Sequence, residues 1–504
     1  MIIWPVIIRT LSAAMALLLP TIASAAVADP RPAYHFAPAR NWMNDPNGLV
    51  YYDGEYHLFY QYNPHGDRWG HMSWGHAVSR DLMRWQELPV AIPEANDVMA
   101  FSGSAVIDWN NSSGFAKGGR PPMIAIYTGT NTKTNNQSQY LAYSNDRGRT
   151  FTVHGKVLDI GSTEFRDPKI FWHAATKRWV MAVVLADQNK VSFYTSTNLK
   201  DWAHASDFGP MGARGKNWEC PDLFELPVEG GDPGEKRWVL SINLGDNSIN
   251  GGSGVQYFVG DFDGARFTPI SGWDPSPHWV DWGADFYAAA SWNDLPASDP
   301  RRIWIGWANN WNYAQDIPTR PSRGLMTVPR TVRLLKTAGG YRLAQTPVAE
   351  LQRRRTGHKA MSNIRLGSHP VALPVTGGAA ELKFEVEAGT ADQVALTLTD
   401  GKGYRTLVGV APHAKEAFID RTHAGLHFHD GFAARHAAPI QFRNGKVTFH
   451  VLVDESIIEL YVNDGTSTIT DRFFRGGGGL KWSLRAKGGT AIVKKLDAWV
   501  IARQ

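Results

Sequence analysis

The chain has 504 residues, too many for one ordinary hydrophobic core, so at least two domains are expected. Its composition, 43% hydrophobic and 20% charged, excludes a disordered chain. A net charge of +5, from 52 basic and 47 acidic residues with Arg353–Arg355 as the longest basic run, argues against a nucleic-acid partner and suits an uncharged ligand.

The first 28 residues read as a signal peptide. Arg9 is their only basic residue, Leu11–Leu19 is apolar apart from Ser12, and Ala23-Ser24-Ala25 and Ala26-Val27-Ala28 both fit a small-residue cleavage site. The alternative is a membrane anchor, but the apolar stretch is marginal in length for a bilayer and no positive cluster follows it. The mature protein is therefore expected to start between Ala26 and Asp29, to be secreted or periplasmic, and to have no membrane role beyond export. Cys220 is the only cysteine, which excludes an intramolecular disulfide and a cysteine-based zinc site. No His-Glu-x-x-His run occurs, and neither a metal nor a cofactor is expected.

From Tyr34 to about Gln345 the chain is a string of short strands and turns. Leu49–Tyr52, the dipeptide Asp53-Gly54 and Glu55–Tyr60 form a hairpin by their turn chemistry. Met123–Thr128, Trp179–Leu185, Trp238–Asn243 and Ile303–Ala308 are further strands, and no stretch sustains a helical period. An internal repeat runs through the region: Ser79–Trp85 recurs as Ser196–Trp202 and, more loosely, as Ser144–Phe151. Each copy follows an aromatic-containing strand, and its Ser and Asp or Asn suit a tight turn. Repeated strand-turn units over about 310 residues, at about 60 per four-stranded blade, predict a five-bladed β-propeller. The polar run from Gln352 to Lys359 breaks the strand pattern and marks a boundary. After it, Ala380–Glu387, Gln393–Leu398, Lys446–Val453 and Ile457–Val462 alternate as half-buried strands, a β-sandwich pattern. The expected organisation is all-β: residues 1–28 a signal peptide, 29–350 a propeller, 351–504 a sandwich.

Three segments carry carboxylates followed by proline. In Trp42–Gly48, Pro46 and Gly48 predict an abrupt turn at the end of a very short strand, with Asp45 pointing into an enclosed space. Asp167 lies between Arg166 and Pro168. Glu219 lies between Trp218 and Cys220, an apolar setting that favours a carboxyl's neutral form, with Pro221 and Asp222 beyond. Each also has a plainer reading: an ordinary turn, a surface ion pair, a buried hydrogen-bonded Glu. Together they suggest carboxylates converging on one funnel, which is what glycosidic cleavage needs: one ionised to attack, one protonated to serve the leaving oxygen. The 20 Trp, 16 Tyr and 22 Phe fit β-sheet packing and also supply flat apolar platforms for a sugar.

Trp42–Gly48, Phe101-Ser102-Gly103, Arg166-Asp167-Pro168 and Glu219–Asp222 are similar to the signature segments of glycoside hydrolase family 32, the invertases, inulinases, levanases and related fructosidases. The likeness runs in order from about Tyr34 to the C-terminus. It implies a five-bladed propeller with a C-terminal sandwich, Asp45 as nucleophile, Glu219 as general acid/base and Asp167 as transition-state stabiliser, with Arg166 keeping Asp167 ionised. It further implies a fructose pocket made by Trp42, Met43, Asn44, Gln61, Trp69, Phe101, Ser102, Arg166 and Trp311. Trp279–Tyr287, Gly306–Tyr313 and Arg320–Arg330 resemble the exo-acting microbial branch, so release of terminal fructose from levan, inulin and sucrose is expected. An invertase, an endo-levanase, a fructosyltransferase, the related inverting arabinanases and xylosidases, and an inactive carbohydrate-binding propeller are the competing readings.

Overall fold

The computed structural model describes residues 31–503, so the predicted signal peptide falls outside the described residues. Asp53 and Gly54 both have positive φ, 50° and 82°, and turn Asn41–Tyr52 back on Glu55–Asn63 as their sequence predicts. The same step builds the whole first region. Four-stranded antiparallel units form from residues 41–92, 98–162, 165–208, 218–269 and 287–347. The last also lends Ser322–Arg323, which pairs in parallel with Asn41 and Trp42 of the first unit. The first strand of each unit contacts the first strand of the next, and Tyr287–Ser291 of the fifth contacts Asn41–Tyr52 again, closing a ring. This is a β-propeller with these five strands around its axis.

Both faces of a blade are buried, and that is why its strands read as nearly unbroken apolar runs. In Met123–Asn131, Met123, Ala125 and Tyr127 pack toward the first unit, while Ile124 and Ile126 pack toward the third. The repeated Ser-x-Asp/Asn sequences all lie between the third and fourth strands of a unit. Ser79 Oγ donates to Asp81 at 3.2 Å, Ser144 Oγ to Asp146 at 2.7 Å and Ser196 Oγ to Asn198 at 3.2 Å. The ring that ends each copy (Trp85, Phe151, Trp202) packs against an inter-blade core.

Two local expectations are corrected. Pro46 and Gly48 do not end a short strand, because Asn41–Tyr52 runs on as one strand of 12 residues with two bulges. Gly48 is required there: its φ is +53°, and a Cβ would lie 2.6 Å from the Phe59 ring. The polar run from Gln352 to Lys359 interrupts the strand pattern only as far as Arg354. A short 3-10 turn, Ala349–Arg354, leads directly into the strand Arg355–Leu366, whose residues are largely exposed because it lies at a sheet edge.

Residues 355–501 form two six-stranded sheets facing each other over one apolar core, a β-sandwich. It docks on the propeller through buried charge. Arg330 is fully buried and donates to Glu459 at 3.0 Å and to Asp281 at 3.1 Å. His35 bridges Asp454 and Glu459 at 2.9 and 2.8 Å. Arg421 of the sandwich donates to Asp285 of the propeller at 2.7 Å.

The first cluster predicts a pH dependence of stability. Burial alone would raise Glu459, but Arg330 and His35 outweigh it and hold the carboxyl at about 2. Burial alone would lower His35, but its two carboxylates outweigh it and raise the imidazole above 6.5. The depressed Glu459 stabilises the fold above its ordinary value of 4.5, a contribution lost as pH falls toward about 2. The raised His35 stabilises below 6.5, a contribution lost as pH rises through its higher folded value. The cluster should thus support the fold best between 4.5 and 6.5. Thermal unfolding against pH should show His35→Gln abolishing part of the decline on the alkaline side; an unchanged alkaline limb in that variant would refute the assignment.

Candidate active site

Each of the five inner strands carries a bulge where it nears the axis, with two residues set against one on the next strand. The pairs are Asn44-Asp45 opposite Gln61, Phe101-Ser102 opposite Thr128, Asp167-Pro168 opposite Val183, Cys220-Pro221 opposite Ile242 and Ala288-Ala289 opposite Gly306. A bulge breaks the ladder and re-aims a side chain that would otherwise pack between blades. The prolines beside the carboxylates follow from this, since a residue without an N–H costs least where the ladder is already broken. Asp167 and Cys220 pay in backbone strain, with φ of +65° and +42°. Gly103 is needed for a different reason: its strand runs so close to its neighbour that a Cβ would lie 2.2 Å from the Ile126 carbonyl oxygen.

The bulges deliver Asp45, Asp167 and Glu219 to one cavity of about 480 Å³. Asp45 Oδ2 accepts from Ser102 Oγ at 2.7 Å and its Oδ1 from Asn44 Nδ2 at 3.0 Å. Asp167 Oδ2 accepts the Cys220 N–H at 3.0 Å, and its own N–H donates to Thr128 Oγ1 at 2.9 Å. The Cys220 thiol stands 3.5 Å from both Asp45 Oδ2 and Asp167 Oδ2, tying the two aspartates together. Burial, then the charges of Asp167 and Asp45, raise this thiol, so it acts as a donor. Glu219 accepts from Arg166 Nε at 3.1 Å, from Asn217 Nδ2 at 3.3 Å and, on its other oxygen, from the Tyr287 hydroxyl.

Burial raises the Asp45 carboxyl, against the hydrogen bonds from Ser102 and Asn44. Burial and then Glu219 push Asp167 up to about 7, against the pull of Arg166. The expectation that Arg166 keeps Asp167 ionised is therefore corrected: the guanidinium reaches across to Glu219 and Glu164, and desolvation dominates at Asp167. The expected apolar setting of Glu219 is corrected as well, because its contacts are a guanidinium, an amide and a phenol.

Of the predicted pocket, Asn44, Gln61, Trp69, Phe101, Ser102, Arg166 and Trp311 line the cavity. Trp42 and Met43 do not. Trp42 is fully buried behind the wall, where its Nε1 donates to Asn44 Oδ1 at 2.7 Å and its ring stacks on Trp311. Met43 is fully buried in the core between the fifth and first blades. Strand alternation sends successive side chains to opposite sides, and the bulge that turns Asn44 and Asp45 to the axis begins only after Met43. Sequence reasoning missed Gln137, Glu164, Lys216, Asn217 and Asp246 in the lining, and Tyr287 on Glu219. Tyr287 ends the Trp279–Tyr287 segment already singled out; no local signal marks the others, which sit on loops or other strand positions.

Below the carboxylates the channel narrows to a cavity of about 30 Å³. Lys169 crosses it, donating to the Ser291 carbonyl at 2.8 Å and pairing with Asp222 at 3.1 Å. The upper cavity is thus a pit with a floor.

Comparison with known proteins agrees with this geometry. Residues 35–347 match the glycosyl hydrolases family 32 N-terminal domain, and residues 347–500 match the family 32 C-terminal domain. The levanase of Bacillus subtilis (strain 168) is 46% identical over 456 residues, covering 88% of this chain but 66% of the relative, just under two thirds. The extracellular exo-inulinase of Aspergillus awamori is 38% identical over 511 residues, 94% of each chain. Among solved structures, exo-inulinase from Aspergillus awamori has a TM-score of 0.87 at 37% identity, covering 94% of this chain and 98% of that one. Fructofuranosidase from Schwanniomyces occidentalis complexed with fructose also gives 0.87, at 32% identity, over 94% and 99%. With both domain models matched over nearly all the described residues and the carboxylates gathered at the propeller axis, the chain belongs to glycosyl hydrolase family 32.

Proposed function

We infer that the protein is an exported, retaining glycosidase that releases terminal β-D-fructofuranosyl units from fructans (levan and inulin) and from sucrose. The observation that carries this reading is the meeting of Asp45, Asp167 and Glu219, from three separate inner strands, in one floored pit. Asp45 attacks the anomeric carbon while Glu219 protonates the leaving glycosidic oxygen, giving a fructosyl ester on Asp45. Glu219 then takes a proton from water, which displaces the ester and frees fructose with retained configuration. Asp167 holds sugar hydroxyls beside the carbon that becomes positive. Arg166 and Tyr287 hold Glu219 in place, and Ser102 and Asn44 orient Asp45. Relatives named levanase and extracellular exo-inulinase support the substrate class and the export.

The floor supports exo attack, since the pit ends where one terminal ring is seated and the remainder of the substrate must leave by the mouth. Product analysis tests this directly. Fructose should be the sole early product from levan and inulin, with sucrose also cleaved. Early oligosaccharides would show an endo enzyme, and brisk sucrose hydrolysis with neither polymer attacked would show an invertase.

The pH profile should be bell-shaped, with an acid limb above the ordinary aspartate range because burial raises Asp45. The hydrogen bond from Ser102 lowers Asp45, so Ser102→Ala should move the acid limb to higher pH. An acid limb that stays put in this variant would count against Asp45 as the group that sets it.

A further inference from the structure

The propeller channel has a second mouth, where the inner strands end rather than begin. Val106–Ile107, Phe171–His173, Leu223–Glu225 and the residues just after Tyr287–Ser291 surround a cavity of about 510 Å³ there, as roomy as the one at the carboxylates. The Lys169 crossing separates the two, so this cavity is no extension of the catalytic pit.

Its walls are unusual. Among the described residues three tryptophans are exposed: Trp69 at 40%, Trp109 at 57% and Trp172 at 39%. Trp69 lines the catalytic pit, and the other two both line the second cavity. Large rings left open to water together mark a surface that something covers. Both are already fixed. Trp109 donates its Nε1–H to Asp294 at 2.8 Å and meets Tyr52 at 77°, and Trp172 packs edge-on against Trp179 with centroids 5.1 Å apart. Rings held this way lose little freedom when a ligand arrives.

The polar groups narrow the ligand class. Arg302 lies over the Phe224 ring at 5.1 Å and donates to the Trp292 carbonyl at 3.3 Å; among the described residues it has no ion pair, so guanidinium donors remain for a ligand. Asp294, which already accepts from Trp109 and the Ile107 N–H, and Glu225, paired with Lys236 at 2.9 Å, keep further lone pairs as acceptors in the same cavity. An anion would meet these carboxylates and a cation would meet Arg302. A neutral polyhydroxylated ligand with apolar faces uses the rings and both kinds of polar group.

We propose that this mouth is a second, non-catalytic carbohydrate site that holds a run of fructosyl units, resting on the fructosidase reading above for the identity of the sugar. The two mouths open at opposite ends of the channel, so a short oligosaccharide cannot fill both. The second site instead keeps the enzyme on a long or aggregated polymer while the catalytic pit takes chain ends.

The test uses full-length protein carrying Asp45→Asn, which leaves substrate intact. Calorimetric titration with a short inulin-type oligofructoside should give two molecules bound per chain, and one after Trp109→Ala and Trp172→Ala are added. Retention of the same proteins in levan-containing gels should weaken about tenfold. In the wild-type background the two Trp replacements should leave kcat/KM for sucrose unchanged, which also reports that the fold is intact. Should those variants fail to fold, the stoichiometry of Asp45→Asn alone still decides, and Arg302→Gln in that background should weaken the second binding event about tenfold. One oligofructoside per chain with Asp45→Asn overturns the second site and leaves the catalytic reading standing. No binding at all overturns both.

Discussion

Asp45→Asn should lower kcat on sucrose and on fructan by at least about a thousandfold while the protein remains folded. The amide has the shape of the carboxylate but cannot form the fructosyl ester. The structure also argues that the fold will tolerate it. Asp45 is buried and its carboxyl is raised by that burial, so a neutral amide removes a desolvated charge rather than creating one. Ser102 Oγ, which donates to Asp45 at 2.7 Å, can rotate its hydrogen away and accept from the new amide. Steady-state rates and the thermal midpoint, measured on the same preparation, check both halves. Retention of more than about a thousandth of the activity would remove Asp45 from the nucleophile's role.

Arg330→Leu should be the most destabilising single change at the domain interface, costing about 3–5 kcal/mol. Arg330 is fully buried, and its guanidinium serves Glu459, Asp281, Gln345 and Thr470 at once while lying 4.5 Å from the centroid of the Phe286 ring. Without it, Asp281 and Glu459 are left as buried carboxylates short of positive charge, and desolvation is then uncompensated. Adding Glu459→Leu and Asp281→Leu should recover much of the loss, because a buried ion cluster is worth little more than well-packed apolar groups of similar volume. Denaturant unfolding of the single and triple variants measures this. A cost below about 1 kcal/mol for Arg330→Leu would mean that the cluster does not hold the domains together.

How much of this was legible in the chain depends on the range of the forces involved. The bounds of Ala380–Glu387 and Ile457–Val462 read correctly to the residue, because strand-forming runs are a local property, but Ile457–Val462 is buried at every position where half-burial was expected. The Asp53-Gly54 turn and the Ser-x-Asp/Asn repeats read correctly for the same reason, since their hydrogen bonds close within four residues. The carboxylate-proline segments were visible, but their cause was not: Pro46 and Gly48 read as a turn, and all three segments are bulges in inner strands, a feature that exists only once the second strand of the blade is in place.

The roles of neighbours went wrong where they depended on distant partners. Arg166 adjoins Asp167 in sequence but grips Glu219, and the apolar neighbours of Glu219 turn away while Tyr287 and Asn217 approach it. Met43 looked like pocket and is core, since one residue of strand register decides between them. The sequence by itself determined the all-β class, the repeating strand-turn unit, the family likeness and the identity of the three carboxylates, because each is encoded in a few consecutive residues. Only the tertiary structure decided the shared thiol between Asp45 and Asp167, the floor at Lys169, the proton balance of the site and the second mouth. Each of these arises from side chains about 50 to 190 residues apart, brought together by closing the ring and desolvated by the same closure.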